Sequence, residues 1–288
     1  MKELSNTSGK CSVESGKWKE NSTLHSPLST HRNLTSMART LVISNRKGGS
    51  GKTATSVNVA AELAAKGQRV LLIDLDTQGH CALGLGVKVQ RNSPTVHGFL
   101  AGQNSLRQAV LASAWAGLHL IPADPLFEHG SVGESELLLN DALTTEGLHD
   151  DFDTILLDTP PSLDGLMLNA LCAADRVLVP FVPHFLSGEG VRQLARVLFR
   201  LASRGQNDRL KVLGFLPVMV DMRIGQHRDV SAGLSHQFGA ARLLPGIRTD
   251  IRVAEAFSVG KPVRDHAPKS RAAADYAAAT LAIEKLWV

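Results

Sequence analysis

The stretch NRKGGSGKT at residues 45–53 decides the fold of this chain. It follows a β-rich apolar run, TLVISN at 40–45, and it precedes a segment, 53–66, in which apolar residues recur at helical spacing. A strand, a glycine-rich loop ending in Gly-Lys-Thr and a helix, in that order, are typical of a phosphate-binding P-loop. The sequence therefore predicts a P-loop, although Arg46 stands where the pattern G-x-x-x-x-G-K-[ST] has its first glycine.

The loop residues are predicted to bind the phosphates of a nucleotide. Backbone N–H groups of such a loop can face phosphate oxygens at the N-terminus of the following helix. Lys52 is expected to reach the β- and γ-phosphates, and the hydroxyl of Thr53 is expected to ligate Mg²⁺. The predicted phosphate-binding residues are Gly48, Gly49, Ser50, Gly51, Lys52, Thr53 and Ala54.

Further apolar strands alternate with helical stretches along the chain. They are predicted at 69–76, 118–123, 152–161, 176–181, 210–220 and near 242–247. Continuous apolar strands separated by helices indicate a parallel sheet that is covered on both faces. We therefore predict an α/β protein with one P-loop domain at 39–288, built on a mostly parallel, twisted sheet with helices on both faces. Residues 1–38 are rich in Ser, Thr, Asn and Lys and are predicted to form a disordered tail.

Carboxylates follow two of these strands, at the edge where parallel sheets bind ligands. Asp158 is expected to hold Mg²⁺ through a water molecule, as a Walker B acid does. Asp76 is predicted to lie near the metal and to position the water that attacks the phosphate. Asp74 is the second candidate for this role, and a purely structural role in fixing the loop stays open for it.

Charge is distributed unevenly along the chain. Residues 101–168 contain one basic and eleven acidic residues, whereas residues 185–271 contain fifteen Lys and Arg and seven Asp and Glu. This asymmetry indicates a surface that faces a polyanion, and solvated helices are the alternative. The three cysteines are far apart, so neither a disulfide framework nor a zinc site is indicated, and a reducing cytosol fits this usage.

The sequence RKGGSGKT at 46–53 resembles the deviant Walker A motif, K-G-G-x-x-K-[ST], of the ParA/MinD superfamily of ATPases. RVLLIDLDTQGHCALGLG at 69–86 and FDTILLDTPPSLDGLMLNAL at 152–171 extend the likeness, which is closer to ParA than to MinD. The resemblance implies ATP and Mg²⁺ as cofactors and a homodimer that encloses two ATP molecules. In such a dimer Lys47 would reach the ATP of the partner, so the implied catalytic residues are Lys47, Lys52 and Asp76.

Four positions depart from the pattern of that family. Ala54 replaces a usual threonine after Thr53, and Arg248 stands where many members have proline. Thr77 stands where the family usually has proline, and His80 stands where asparagine is common. Both follow Asp76 in the segment that would respond to the nucleotide, so these two departures concern turnover and leave every predicted phosphate ligand in place.

The resemblance also implies a function. ParA-type ATPases with ATP bound coat the nucleoid by binding DNA without sequence preference, and a ParB-like or cargo-adaptor protein stimulates hydrolysis. We therefore expect a weak ATP hydrolase, cytoplasmic and nucleoid-associated when ATP is bound, that positions a plasmid, a chromosome or a protein organelle. The predicted DNA-binding residues are Arg223, Arg228, Arg248, Arg252, Lys261 and Arg271.

A second functional class stays open. A MinD-like, nucleotide-gated dimer would regulate a protein or membrane complex without binding DNA. The C-terminal sequence YAAATLAIEKLWV lacks a strongly basic face opposite a bulky apolar face, so no membrane binding is expected.

Overall fold

Seven strands form one sheet in the computed structural model, which describes residues 38–127, 135–184 and 187–287. The strands are β1 (Arg39–Ile43), β2 (Val70–Asp74), β3 (Leu111–Ala112), β4 (Leu118–Ile121), β5 (Thr154–Asp158), β6 (Arg176–Phe181) and β7 (Lys211–Pro217). Their order across the sheet is β3-β4-β2-β5-β1-β6-β7. Every neighbouring pair is parallel except β3 with β4. The predicted α/β class with a mostly parallel sheet is therefore confirmed.

Helices cover both faces of this sheet. They are α1 (Lys52–Ala65), α2 (His80–Gly84), α3 (Val96–Leu100), α4 (Leu138–Thr145), α5 (Leu148–Asp151), α6 (Gly165–Ala173), α7 (Ser187–Ser203), α8 (Gly225–Phe238), α9 (Ile251–Ser258), α10 (Val263–His266) and α11 (Arg271–Trp287). Successive strand residues point to opposite faces. Accordingly, Leu71 and Ile73 of β2 lie in one apolar cluster with residues of α4, α6 and α7, whereas Val70 and Leu72 lie in a second cluster with residues of α1, α9 and α11.

The structure differs from the predicted elements in two places. The run near 242–247 is not a strand: residues 240–242 form a 3₁₀ turn, and Leu243 makes only an isolated bridge with Phe215. The two-residue strand β3 was not predicted, because so short a segment carries no periodic signal. Of the predicted tail only Ala38 is described, and it is buried, with its N–H donating to the carbonyl of His149 at 3.2 Å. Among the described residues no helix is long and apolar enough to cross a membrane.

Strand register brings the predicted site to one edge of the sheet. In the parallel ladder Ile43, the last residue of β1, pairs with Asp158, and Asp158 also pairs with Asp74 at the end of β2. The loop after β1 and both acidic strand ends therefore meet at the carboxyl edge, where ligands of parallel α/β sheets bind.

Candidate nucleotide and magnesium site

The glycine loop adopts a conformation that only glycine accepts without strain. Gly49 and Gly51 have φ of 70° and 77°, in the left-handed region. A Cβ on Gly51 would also lie 3.1 Å from Cγ2 of Val218. Gly51 caps the N-terminus of α1, and Lys52, the first residue of that helix, is 6% exposed. The loop therefore presents the start of a helix and a buried cation in one place, which favours an anion.

Asp158 receives hydrogen bonds from the first turn of α1. The hydroxyl of Thr53 donates to Oδ2 at 2.7 Å, and the hydroxyl of Ser56 donates to Oδ1 at 2.8 Å. Asp158 is fully buried, and burial raises its pKa to about 6, although the hydrogen bonds from Thr53 and Ser56 and the charge of Lys52 act in the opposite direction. The buried carboxylate is therefore costly to ionise until a cation lies beside it.

Asp74 is the second buried carboxylate, and it orders the loop that follows β2. Its side chain accepts hydrogen bonds from the N–H groups of Cys81, at 3.0 Å, and Asp76, at 3.1 Å. Burial, and then the neighbouring charge of Asp158, raise its pKa well above the usual carboxyl value. One ligand atom each of Asp74, Cys81 and Asp158 lie within 4.8 Å of one another. The geometry thus gives Asp74 the loop-fixing role that the sequence left open.

Asp76 is partly exposed, unlike the two buried acids, and its charge acts on Lys52. Burial lowers the pKa of Lys52, and the carboxylates of Asp158 and Asp76 oppose that decrease. The carboxylate of Asp76 also accepts the N–H of Gln78 at 3.1 Å. A carboxylate that is accessible and close to the phosphate-binding lysine is a suitable group for orienting a water molecule.

Lys47 is held on its own chain. Its N–H donates to Oδ1 of Asn45 at 3.0 Å, and Nδ2 of Asn45 donates to the carbonyl of Pro180 at 2.8 Å. The ammonium of Lys47 lies 2.5 Å from Nε2 of His184, which follows β6. Asn45 and His184 were not predicted as site residues. The loop motif assigns no role to Asn45, and His184 is 137 positions from Lys47 with no motif that connects the two segments.

The side chains present fit a nucleotide with Mg²⁺. The hydroxyl oxygen of Ser50 is buried and has no hydrogen-bond partner among the described residues, so a phosphate oxygen would satisfy it. The Thr53 hydroxyl and the Asp158 carboxylate are oxygen ligands, which Mg²⁺ prefers. The predicted metal residues Thr53 and Asp158 are in contact through the 2.7 Å hydrogen bond, whereas the charge of Asp76 acts on Lys52.

A largely apolar cavity of about 580 Å³ opens beside the loop. Gly51, Thr53 and Ala54 form its wall next to the P-loop. The other lining residues are His80, Leu83, Val218, Met219, Ile247, Arg248, Thr249, Asp250, Ile251, Val253, Ala254, Phe257 and Tyr276. Its lining comes from segments more than 150 positions apart in the sequence, so sequence reasoning could not predict it.

The predicted DNA-binding residues are less available than the sequence suggests. Four of the six face carboxylates of their own chain: the ion pairs are Arg223–Asp221 at 2.6 Å, Arg248–Asp275 at 2.7 Å, Arg252–Glu255 at 2.5 Å and Arg271–Asp250 at 3.7 Å. Arg228 donates to backbone carbonyls, and Lys261 is exposed. Within the described ranges neither of these two has a carboxylate partner, so most of the predicted positive surface is partly neutralised.

The chain is similar to known proteins over most of its length. A family model described as an AAA domain matches residues 38–212. The chromosome-partitioning ATPase Soj of Thermus thermophilus is 40% identical over 245 residues, which cover 84% of this chain and 94% of that protein. The chromosome partitioning protein ParA of Caulobacter vibrioides is 38% identical over 231 residues, which cover 78% of this chain and 86% of that protein.

A solved structure shows the same fold with a nucleotide bound. The cobyrinic acid a,c-diamide synthase of Mycobacterium smegmatis, with bound ATP analogue and magnesium, has a TM-score of 0.70 and 31% sequence identity. The match covers 87% of this chain and 96% of that one. A related sequence with this fold therefore binds an ATP analogue with magnesium, the ligand class that the loop and the acids described above would accept.

Proposed function

This chain belongs to the ParA/Soj family of P-loop ATPases, and on that basis we propose that it hydrolyses ATP as a DNA-partitioning dimer. Two protomers dimerise around ATP, bind duplex DNA without sequence preference and release it after a partner protein stimulates hydrolysis. The observation that carries this proposal is the loop after β1, where Lys47 precedes a P-loop whose Thr53 contacts Asp158.

The residues of the loop and of the strand ends have different roles in the proposed ATP hydrolysis. Backbone N–H groups of residues 48–52 and the ammonium of Lys52 bind and orient the phosphates. Thr53 and Asp158 would hold Mg²⁺, which neutralises charge on the phosphate oxygens when it is bound. Asp76 accepts a hydrogen bond from the attacking water and aligns it with the terminal phosphate. Asp74 keeps the backbone of Asp76 in place through its hydrogen bond to that N–H.

Lys47 makes ATP hydrolysis depend on dimerisation. In the single chain its ammonium contacts His184, and in the ATP-bound dimer it would leave that contact for the phosphates of the partner's ATP. A cation supplied in trans to a γ-phosphate acts as an arginine finger does, by stabilising the charge that develops during transfer. Hydrolysis by an isolated protomer is therefore expected to be slow.

The apolar cavity is the proposed site of the base. It adjoins Gly51 and Thr53, so a nucleotide with its phosphates on the loop would place its base there. Cavities of 300–1,000 Å³ with mostly apolar walls are typical of small-molecule sites. Phe257 and Tyr276 lie in its wall and offer flat surfaces to a flat ring.

The cargo is proposed to be DNA, a chromosome or a plasmid. The relatives from Thermus thermophilus and Caulobacter vibrioides are both named as chromosome-partitioning proteins. The remaining parts of the proposal follow the family: a ParB-like or adaptor partner, and a cytoplasmic protein that is nucleoid-associated while ATP is bound.

Binding to random-sequence duplex DNA tests the proposal. The purified protein is measured with ATP, with ADP and without nucleotide, across a salt series. ATP-dependent binding that weakens steeply with salt is expected, because phosphate contacts release counterions. Lys52→Ala serves as the control that cannot bind nucleotide. Absence of binding in all three states would refute DNA partitioning and favour a nucleotide-gated regulator of a protein complex.

A further inference from the structure

The peptide unit between Leu75 and Asp76 has both of its polar groups held by buried side chains. Its N–H, which belongs to Asp76, donates to Oδ1 of Asp74 at 3.1 Å. Its carbonyl, which belongs to Leu75, lies 3.3 Å from Nε2 of His97. A peptide unit is planar, so hydrogen bonds on its two sides fix the orientation of that plane. His97 and Asp74 together therefore set the direction in which the side chain of Asp76 leaves the backbone.

The second ring nitrogen of His97 determines which nitrogen carries the proton. The backbone N–H of Asp124 donates to Nδ1 at 2.9 Å. Because Nδ1 is an acceptor in this contact, the ring is neutral and its proton is on Nε2. Nε2 then donates to the carbonyl of Leu75, which can only accept a hydrogen bond. A single tautomer thus satisfies both backbone groups.

The position of the His97 ring is fixed by its surroundings. His97 lies in the first turn of α3, where the hydroxyl of Thr95 caps the helix by accepting the N–H of Gly98 at 2.9 Å. The ring is fully buried and stacks on Phe127, with 4.7 Å between the ring centroids. A donor that is held in one place and in one tautomer keeps the carbonyl of Leu75 in one place as well.

Apolar packing alone does not account for a histidine at this position. Leu75 and Val96 belong to the apolar cluster on this face of the sheet, where an apolar side chain would have no polar atom to satisfy. A buried imidazole is favourable there because backbone groups pair with both of its nitrogens. Those groups follow two neighbouring strands, since Leu75 comes after β2 and Asp124 comes after β4. His97 therefore connects the loop that carries Asp76 to the end of the adjacent strand.

We propose that His97 is a positioning residue for ATP hydrolysis, which acts by holding the backbone that carries Asp76. The inference rests on the proposed function, in which Asp76 aligns the attacking water. The carboxylate of Asp76 is partly exposed, so its direction depends on the backbone more than on packing. A misplacement of about 1 Å can lower a reaction rate about 10²-fold. Loss of the His97 contact would therefore slow hydrolysis, whereas the phosphate-binding loop after β1 would stay in place.

The test compares His97→Leu with His97→Gln. Leucine fills the space but leaves the carbonyl of Leu75 without its donor, whereas the glutamine amide offers a donor and an acceptor side by side, as the ring does. His119→Leu is the matched control, because this partly buried histidine of β4 packs against Phe152. The affinity for ATP, the rate of a single turnover and the ATP-dependent dimer are measured for each variant, and a thermal melt checks its folding.

His97→Leu is expected to lower the single-turnover rate at least about tenfold, while the Kd for ATP changes less than about twofold. His97→Gln should hydrolyse within about threefold of the wild-type rate, and His119→Leu should match the wild type. Equal losses of ATP affinity and rate in His97→Leu would instead indicate a structural role and overturn the inference. If the leucine variant does not fold, His97→Asn replaces it, since its shorter amide keeps an acceptor for the N–H of Asp124 without reaching Leu75.

A double variant shows whether His97 acts through Asp76. In that case H97L/D76A hydrolyses ATP no more slowly than D76A alone, because the effects of residues that act as a unit do not add. Losses that multiply in the double variant would contradict the positioning role. An unchanged rate in His97→Leu, with hydrolysis by the wild type intact, would refute this role and leave the proposed function standing. Absence of ATP hydrolysis by the wild-type dimer would refute both.

Discussion

The ammonium of Lys47 lies 2.5 Å from Nε2 of His184 in the same chain, so the lysine that would serve a partner's ATP is engaged in cis. The contact joins the loop after β1 to the segment after β6, which are neighbouring strands in the sheet. In the proposed dimer, Lys47 would have to leave this contact to reach the other protomer. If it does, the strength of the Lys47–His184 contact would set part of the threshold for ATP-dependent assembly.

His184→Ala should lower that threshold. Without the imidazole, Lys47 loses no contact of its own chain when it moves to the partner. The ATP-dependent dimer is therefore expected to form several-fold more tightly. His184→Glu should act in the opposite direction, because a carboxylate holds an ammonium more firmly than a neutral imidazole does. Sedimentation velocity with a slowly hydrolysed ATP analogue measures both. Equal dimer affinity in the two variants would show that the cis contact does not oppose assembly.

Substitution of each of the two lysines of the loop should have a different effect on ATP binding and dimerisation. Lys47→Ala is expected to leave ATP binding measurable and to abolish the ATP-dependent dimer, because its proposed target is the phosphate of the partner's ATP. Lys52→Ala should lose nucleotide binding altogether, since this buried cation is proposed to bind the phosphates of the ATP held by its own protomer. Titration with a fluorescent ATP analogue, together with sedimentation, separates the two. An intact dimer in Lys47→Ala would contradict the trans role.

Asp76→Ala should separate turnover from binding. Without a carboxylate to align the water, hydrolysis is expected to fall by about 10²-fold or more, while the ATP-bound dimer accumulates and stays on DNA. Asp76→Asn is the closer control, since it keeps the side-chain acceptor for the N–H of Gln78. Phosphate release and DNA occupancy are measured in parallel. Loss of ATP binding in Asp76→Ala that Asp76→Asn restores would make Asp76 a structural residue.

The stability of the nucleotide-free protein should depend on pH through Asp158. Burial raises its pKa from 3.8 to about 6, so the folded state holds the proton more tightly than the unfolded state. The contribution of the protonated Asp158 to the free energy of unfolding is therefore fully present below about pH 4 and is lost as pH rises through about 6. Asp158→Asn cannot ionise and lacks this dependence.

Thermal melts in EDTA at several pH values measure this difference between wild type and Asp158→Asn. The melting temperature of the wild type is expected to fall relative to the variant between pH 4 and pH 7. Addition of ATP with Mg²⁺ should restore the wild type most at the higher pH, because a cation favours the ionised carboxylate. Parallel pH profiles in the two proteins would contradict the raised pKa.

Arg248 is expected to affect the base rather than the phosphates. Its guanidinium and its N–H all bind the carboxylate of Asp275, which fixes a wall of the apolar cavity against α11. Arg248→Ala should weaken the binding of ATP and ADP by up to about fivefold, the size expected from loss of an exposed ion pair. It should leave the affinity for inorganic triphosphate unchanged. The charge swap R248D/D275R should restore part of the affinity. Calorimetry with the three ligands measures this, and equal losses for ATP and triphosphate would rule out a role at the base.

The sequence predicted the phosphate loop and the acidic strand ends of the site because the signals for both lie within short stretches of chain. Gly-Lys-Thr after an apolar strand and before a helix specifies a P-loop within nine residues, and an acid at the end of an apolar run marks the carboxyl edge of the sheet. Thr53, Asp76 and Asp158 could thus be placed near one another from order alone. The strand predicted near 242–247 failed, because an apolar run does not reveal whether a neighbouring strand is within reach.

The sequence by itself determined the parallel α/β frame and the phosphate loop, since periodicity and motif spacing act over short stretches of chain. Only the tertiary structure decided which partners complete the site. Ser56 reaches Asp158 across 102 positions, and His184 reaches Lys47 across 137. It also decided which positive charges stay available. An arginine is neutralised or free according to its neighbours in space. Arg248 faces Asp275, whereas Arg200 has no carboxylate partner in the described part of the chain, so the two look alike in the sequence and differ in the fold.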